Sequence, residues 1–511
     1  MHTIGVLMGI AKLVTKADMA LAPGTAKSKL TPTVLQAHRK GLYLSIPNAA
    51  AFLFMVDALS IFAANLGILL RIHERLDVFG QHQTLLVVAI SVMTMLSLLY
   101  AAGCYRRDAL IRFATAMIPL GIALGFSAAV LTPVFHLLLG TLYPSELVFR
   151  SISRSATLAL LASGISLAVG MMTRVAFFAM CQRHWFERHI LVVGTGPRAR
   201  FIYDLFREDK YQRYASLTFV PEQSLGGPVS EPSVPAELVA TQEACSLDEI
   251  TAQLRVDCVV VAATDNSIPL EPLLNCKTGG IPVLEFNTFI ERETGRVNLR
   301  WVDMSWLVYS HGFEIRAMDV ALKRVMDVIV GLVMLWLALP VLGIAALAIA
   351  LEGRGPIFFR QTRVTQGGRP FELLKLRTMR VDAEKNGAQW AAVKDPRITP
   401  VGAILRRFRI DEIPQLINVL RGDMSLVGPR PERPVFVEQL SSQIEMYELR
   451  HSVKAGITGW AQLNYPYGAS VEDARCKLEY DLFYMKHFSI LRDLAILLQT
   501  CRIVLSPEGV R

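Results

Sequence analysis

At 511 residues, 52% of them hydrophobic and with a mean hydropathy of +0.38, the chain is too long for one ordinary core and too apolar for a soluble protein. Its formal net charge of +9 could suit nucleic acid, but no nucleic-acid module is visible. Seven scattered cysteines without a Cys-x-x-Cys pair exclude a disulfide scaffold or a zinc finger, and suit reduced thiols facing a cytosol.

The first 47 residues carry Lys12, Lys16, Lys27, Lys29, Arg39 and Lys40 and read as a basic arm. Four apolar segments follow, near 48–70, 84–104, 113–139 and 155–181. Each is long enough to cross about 30 Å of hydrocarbon, so residues 48–182 are expected to form an α-helical transmembrane bundle. Basic residues favour the arm, the second connection (Arg106, Arg107, Arg112) and the stretch after the fourth segment (Arg183, Arg188), which puts both ends of the bundle in the cytoplasm. Pro119 and Pro133 are expected to kink the third segment. Asp57, an acid well inside the first, has no assigned role.

From His189 the pattern changes to α/β. Ile190-Leu-Val-Val-Gly194-Thr-Gly196-Pro-Arg-Ala199 is an apolar strand running into a glycine turn and a helix. Asp257–Ala262 and Ile281–Phe286 read as buried parallel strands, and 221–236 as a Pro- and Ser-rich loop. Residues 187–305 thus look like a Rossmann-like nucleotide-binding domain. The fingerprint is incomplete: Ala199 replaces the last glycine, Pro197 intrudes, and no acid stands out at the ribose position. A tight strand-to-helix turn would use the same residues.

Lys323-Arg324-Val-Met-Asp327 leads into an apolar run to Leu351, interrupted by Pro340. About 24 residues at 1.5 Å each could span, at about 36 Å. Basic residues flank both ends, however, and Pro340 removes a backbone hydrogen bond at the middle. A re-entrant helix over 326–351 satisfies both observations; a fifth spanning helix is the alternative. Between 353 and 410 the chain holds thirteen basic and four acidic residues, which suits anionic lipid head groups or a phosphorylated substrate.

The densest stretch runs from Arg406 to Pro434 and sets Asp411 and Glu412 between arginines in an apolar frame. Pro414 suits the first turn of a helix starting near Asp411, with Ile413, Leu416, Ile417 and Leu420 on one buried face. The two carboxylates would then sit at its positive end, and the Gly428-Pro-Arg430-Pro turn would return a guanidinium towards them. A surface salt-bridge network would use the same residue types. Val471–Leu505, charged and then apolar, reads as a helix on the membrane surface or a cap on the preceding domain.

Five motifs in order, Lys375-Leu-Arg377-Thr-Met, Asp395-Pro-Arg397-Ile-Thr399-Pro-Val-Gly402, Asp411-Glu412-Ile-Pro-Gln-Leu, Gly422-Asp-Met-Ser-Leu-Val-Gly-Pro-Arg-Pro431 and Gly456-Ile-Thr-Gly-Trp460-Ala-Gln, resemble the signature of the bacterial sugar transferases that load polyprenyl phosphate. Arg409 and Ala455 depart from that pattern, and neither is expected to touch the carboxylate pair. The resemblance implies that 318–511 is a mixed α/β, membrane-associated catalytic domain whose re-entrant helix includes Lys323, Arg324, Asp327 and Pro340. It implies transfer of a sugar 1-phosphate from a UDP-sugar to undecaprenyl phosphate with release of UMP, the initiating step of exopolysaccharide biosynthesis at the bacterial inner membrane. Asp411 would be the nucleophile of a ping-pong reaction and Glu412 the Mg²⁺ ligand. Arg406 and Arg430, then Lys375 and Arg377, would contact phosphate. Membrane lipid and a second copy of the chain are the implied partners. A nicotinamide-dependent modifier of nucleotide sugars and a non-catalytic scaffold for polysaccharide assembly stay open.

Overall fold

The computed structural model describes residues 46–76, 81–105, 109–110, 113–142, 148–183, 188–207, 215–222, 233–239, 247–263, 270–302, 304–383, 395–465, 468 and 470–505. The basic arm up to residue 45, Arg106, Arg107 and Arg112, and 223–232 of the expected loop lie outside them.

Four helices form the bundle: α1 (Ile46–Leu76), α2 (Gln81–Ala101), α3 (Phe113–Leu142) and α4 (Val148–Gln182). Ile61, Val88, Met95, Leu99, Leu120, Leu124 and Ala159 pack inward. The outer faces are apolar as well: Leu59, Ile122 and Met172 are 67%, 66% and 71% exposed. Water would select polar residues there, whereas hydrocarbon selects these. Stretches of α1, α3 and α4 are long and apolar enough to cross a membrane, and Leu85–Ala101 of α2 is a shorter apolar helix. Pro119 and Pro133 both lie within an uninterrupted α3. Asp57 is fully buried and ion-paired to Arg174 of α4 at 2.7 Å. Its carboxylate also accepts from Tyr105 Oη at 2.8 Å and Thr173 Oγ1 at 2.7 Å. The acid is thus a structural tie between α1 and α4.

The next domain is a four-stranded, all-parallel sheet in the order β2-β1-β3-β4, from β1 (Arg188–Val193), β2 (Ala215–Val220), β3 (Cys258–Val261) and β4 (Val283–Glu285). Ile190 and Val192 face one apolar cluster, Leu191 and Val193 another, so both faces of β1 are covered. Helices α5 (Pro197–Arg207), α6 (Leu247–Leu254), α7 (Leu270–Thr278) and α8 (Phe286–Thr294) accompany the strands. The buried strand expected over Ile281–Phe286 is shorter: β4 has three residues, sits at the sheet edge, and is only half-buried because one side lacks a neighbour.

After α9 (Met304–Tyr309) the chain enters α10 (Ala317–Glu352), a single helix of 36 residues. It begins before 326 and continues through Pro340, which corrects the expected interruption. Proline at 340 costs the bond its missing N–H would have made to the Trp336 carbonyl. Packing along both flanks holds the helix in spite of that. Near its start, Lys323 Nζ donates to the Val427 carbonyl at 3.0 Å and to Asp493, while Asp327 accepts from Leu426 N at 3.0 Å. Arg324 donates to the Val419 and Leu420 carbonyls at 2.6 and 2.7 Å. Lys323 and Arg324 are therefore spent on the interior and do not flank lipid as free charges. Near its end, Ala345 and Ile349 pack against Leu376 and Leu405, and Glu352 accepts from Val401 N at 2.7 Å. The outward side carries exposed Leu332, Trp336, Leu337, Ile344 and Leu347.

The same domain holds an antiparallel hairpin, β5 (Phe358–Val364) with β6 (Pro370–Leu376), and a parallel pair, β7 (Ser425–Val427) with β8 (Gly456–Thr458). Around them lie α11 (Pro400–Arg407), α12 (Gln415–Arg421), α13 (Pro434–Ser441), α14 (Trp460–Asn464), α15 (Val471–Lys486) and α16 (Ile490–Leu505). The last two split the stretch read as one helix. α16 covers β7 and β8 on one side and packs on α2 on the other, where Gln499 Nε2 donates to Tyr100 Oη at 3.1 Å.

Asp57→Ala leaves a buried Arg174 guanidinium unpaired and is expected to cost roughly 3–5 kcal/mol. The measurement is the melting temperature of the purified protein in detergent. Adding Arg174→Met should recover part of the loss; a double variant no more stable than the single one would remove the pair from this role.

Candidate active site

Thr399 opens the site's framework by accepting from Gly402 N at 3.0 Å, which caps α11, with Pro400 in the first turn. α11 stops at Arg407, and Arg409 adopts a left-handed conformation at φ 57°. That reversal prevents one continuous helix. Asp411 and Glu412 therefore stand in a 3₁₀ turn, Ile410–Glu412, and α12 starts only at Gln415. The buried face of α12 is Gln415, Leu416, Asn418 and Val419, not the expected Ile413, Leu416, Ile417 and Leu420. Ile413 packs from the side and Leu416 alone of the four is fully inside.

Three cations surround Glu412. Arg430 Nη2 donates to Oε1 at 3.0 Å, Lys375 Nζ to the same oxygen at 3.3 Å, and Arg409 Nη1 lies 3.6 Å from Oε2. The expectation that Arg409 stays clear of the carboxylates is corrected; its left-handed backbone turns the side chain back onto the turn it starts. Burial alone would raise the Glu412 pKa, but Arg430, Lys375 and Arg409 hold the carboxyl well below its usual range. Asp411 differs. Burial pushes its carboxyl upward and Glu412 adds to that, against the pull of Lys375, Arg406 and Arg409. Its Oδ1 is buried without a hydrogen-bond partner. Burial likewise lowers the Lys375 pKa.

Arg430 thus reaches the carboxylate turn as anticipated, whereas Lys375, expected as a phosphate contact, is ion-paired to Glu412. Arg406 is near enough to act on Asp411 electrostatically, while its Nε donates to Thr378 Oγ1 at 2.9 Å. Arg377 is elsewhere: it donates to the Ile349 and Gly353 carbonyls at 3.3 and 3.0 Å and so caps the C-terminal end of α10. Lys323, Arg324 and Asp327 support β7 and α12 from below.

Two positioning residues escape any reading by motif. Asn418, with no exposed surface, accepts from Leu374 N at 3.0 Å and donates to the Glu372 carbonyl at 2.7 Å. It bolts α12 to β6 and so sets Lys375 beside Glu412. Arg450 donates to the Arg430 carbonyl at 3.1 Å and pairs with Asp481 at 3.0 Å. A side chain at Gly428 would lie 2.3 Å from the Lys454 carbonyl, so the turn that delivers Arg430 needs glycine there. Asn in a helix interior and a distant arginine carry no periodic or motif signal; only contacts reveal them.

Two adjacent carboxylates are oxygen ligands of the kind Mg²⁺ takes, an ion that keeps several waters and asks for few protein oxygens. The partnerless Asp411 Oδ1 leaves one oxygen lone pair free for such an ion. No group of three or more metal-ligating side chains occurs among the described residues.

Residues 318–507 match the bacterial sugar transferase family. Over 261 residues the chain is 40% identical to the UDP-N-acetylgalactosamine-undecaprenyl-phosphate N-acetylgalactosaminephosphotransferase of Aeromonas hydrophila, covering 50% of this chain and 61% of that one. It is 45% identical over 189 residues to the UDP-glucose:undecaprenyl-phosphate glucose-1-phosphate transferase of Caulobacter vibrioides, covering 37% of this chain and 71% of the relative. The enzyme of the same name from Escherichia coli is 44% identical over 181 residues, 35% of this chain and 39% of its own length. The match includes all five motifs and the carboxylate turn they surround; the chain belongs to the bacterial sugar transferase family.

Proposed function

We propose that the chain transfers a hexose 1-phosphate from a UDP-sugar to undecaprenyl phosphate at the cytoplasmic face of the bacterial inner membrane, initiating an exopolysaccharide. The observation that carries this reading is Asp411: a buried carboxylate whose Oδ1 has no hydrogen-bond partner, set in the field of Lys375, Arg406 and Arg409. A structural salt bridge would have used that oxygen. The curated relatives named above act on UDP-sugars and undecaprenyl phosphate, which supports the choice of substrates.

In the first half-reaction Asp411 attacks the phosphorus bonded to the sugar. The O–P bond to the carboxylate forms as the bond to the UMP oxygen breaks, and UMP leaves with the electron pair. Arg430, Lys375 and Arg409 hold Glu412 and face the negative charge that grows on the leaving phosphate. In the second half-reaction an oxygen of polyprenyl phosphate displaces Asp411, regenerating the free carboxylate. Mg²⁺ would be held by Glu412 together with the diphosphate oxygens, where it would neutralise phosphate charge.

α10 supports the membrane placement. The same domain contacts it at Lys323 and at Glu352, which supports both ends lying on one side rather than a crossing. Its apolar outer face would rest in the lipid of that one leaflet.

Asp411→Asn should leave the melting temperature within a few degrees yet reduce UMP release by roughly 10³-fold or more. Mass spectrometry after incubation with a UDP-sugar should find a phosphosugar adduct on the wild type and none on the variant. Residual turnover near wild type, or an adduct on another residue, would sink the covalent role of Asp411.

The raised Asp411 pKa gives a second test. The nucleophile must be ionised, so the rate falls as pH drops through that value. The acid limb of UMP release, measured without polyprenyl phosphate, should lie above the ordinary carboxylate range. Arg430→Ala should shift Glu412 titration upward and lower kcat/KM at least tenfold, since it removes both the nearest cation and a phosphate contact.

A further inference from the structure

α8, the last helix of the α/β domain, buries Phe286, Phe289 and Ile290 among the strands. Its Glu293 pairs with Arg188 of β1 at 3.1 Å, so the helix is fixed to the sheet. Glu291 of the same helix is committed elsewhere. It is 4% exposed, and both its partners stand at the end of α15: Lys486 Nζ donates to Oε2 at 2.6 Å, and His487 Nε2 lies 2.6 Å from Oε1. Burial would raise the Glu291 pKa, but His487 and Lys486 hold it below its ordinary value. Gly295 ends α8 in a left-handed conformation, and its carbonyl accepts from Trp460 Nε1 at 2.8 Å. Beyond it, Val297 N donates to the Glu479 carbonyl and Leu299 N to Glu479 Oε1, each at 3.1 Å, while Arg296 pairs with Oε2 at 3.2 Å.

Glu479, Phe483 and Lys486 recur at helical spacing, so these contacts, with Trp460 stacked on Phe483 at 5.9 Å, line one face of α15. Asp481 and Tyr484 lie on the opposite face, and both reach the turn that delivers Arg430. Asp481 pairs at 3.0 Å with Arg450, which donates to the Arg430 carbonyl at 3.1 Å. Tyr484 Oη lies 3.4 Å from the Val427 carbonyl and donates to Asp493 Oδ1 at 2.8 Å. α15 is thus clamped between the stretch 291–299 and the Arg430 turn. A carboxylate buried in an ion pair is costly, and this one gains nothing for the helix that carries it. Glu291 also stands outside residues 318–507, which match the transferase family, and belongs to none of the five motifs.

We propose that Glu291 is a positioning residue for the transfer reaction, acting from the α/β domain through α15 on Arg430. Its grip on Lys486 and His487 fixes the rotation of α15 about its own axis. That rotation decides where Asp481 holds Arg450 and where Tyr484 meets Val427, on the two sides of Gly428-Pro-Arg430. A packed helix passes a small displacement from one face to the other because its interior does not deform. The consequence for the reaction rests on the transfer proposed above; the mechanical link does not.

The test uses the full-length protein in nanodiscs and two readouts. The first is amide hydrogen exchange without substrate: Glu291→Gln should speed exchange over residues 424–433 about tenfold, although it touches none of them. This arm decides the link whether or not the UDP-sugar assay succeeds, so a failed reaction assignment and a failed link are told apart. The second is kinetic: Glu291→Gln should lower kcat for UMP release about fivefold with KM for the UDP-sugar within about twofold. Combining it with Asp481→Asn should lower kcat no further than Asp481→Asn alone, since both act along one path. Glu291→Gln with Lys486→Met leaves no unpaired charge at that spot; it should melt within a few degrees of the wild type and keep the kcat loss. Unchanged exchange over 424–433 in Glu291→Gln overturns the proposal. So does kcat restored along with stability in the Lys486→Met double variant, which would make Glu291 structural only, or a kcat loss that multiplies with that of Asp481→Asn.

Discussion

Glu412 is a carboxylate held away from water by the charges around it. Taken alone it would be expensive to bury ionised. With Arg430, Lys375 and Arg409 in reach it is instead fixed in that form, and in turn it keeps three mutually repelling cations together. Each cation comes from a different part of the chain: β6, the residue between α11 and the 3₁₀ turn, and the turn after β7. The surrounding architecture exists to bring those segments to one point. Asn418 ties α12 to β6, Arg450 holds the Arg430 turn, and the left-handed Arg409 ends one helix so that the carboxylates fall between two. With Arg406 counted, four cations face two carboxylates, and the surplus positive charge is what a diphosphate would complete.

The same economy of contacts explains α10. A long apolar helix is usually read by its length, and length alone suggests a crossing. Its ends, however, are tied to the domain: ionic and carbonyl contacts to β7 and α12 at the start, and the Arg377 cap and Glu352 at the finish. Side chains that read as membrane-flanking charges turn out to close hydrogen bonds inside the domain.

Much of the architecture was legible in the sequence because hydrophobic length and strand texture are local properties. The four bundle helices and β1 of the parallel sheet could be read directly. The carboxylate turn was legible because its chemistry demands particular residue types at fixed spacing. What could not be read depends on partners far along the chain. Asn418 acts through backbone groups 44 and 46 residues away, and Arg450 through a carbonyl 20 residues away. The start of α12 was misplaced since no propensity scale anticipates an arginine in a left-handed conformation. Basic residues at the head of an apolar run have two uses, and only packing decides between them.

The position of α16 has a mechanical consequence. It rests on β7 and β8 with one side, where Thr500 and Thr458 share a hydrogen bond of 2.7 Å, and on α2 with the other. A bilayer thinner than the apolar length of α2 makes that helix tilt. The tilt is passed through α16 to the strand that packs against Gly428. Lipid thickness therefore bears on how high the Asp411–Glu412 turn rides above the acyl chains.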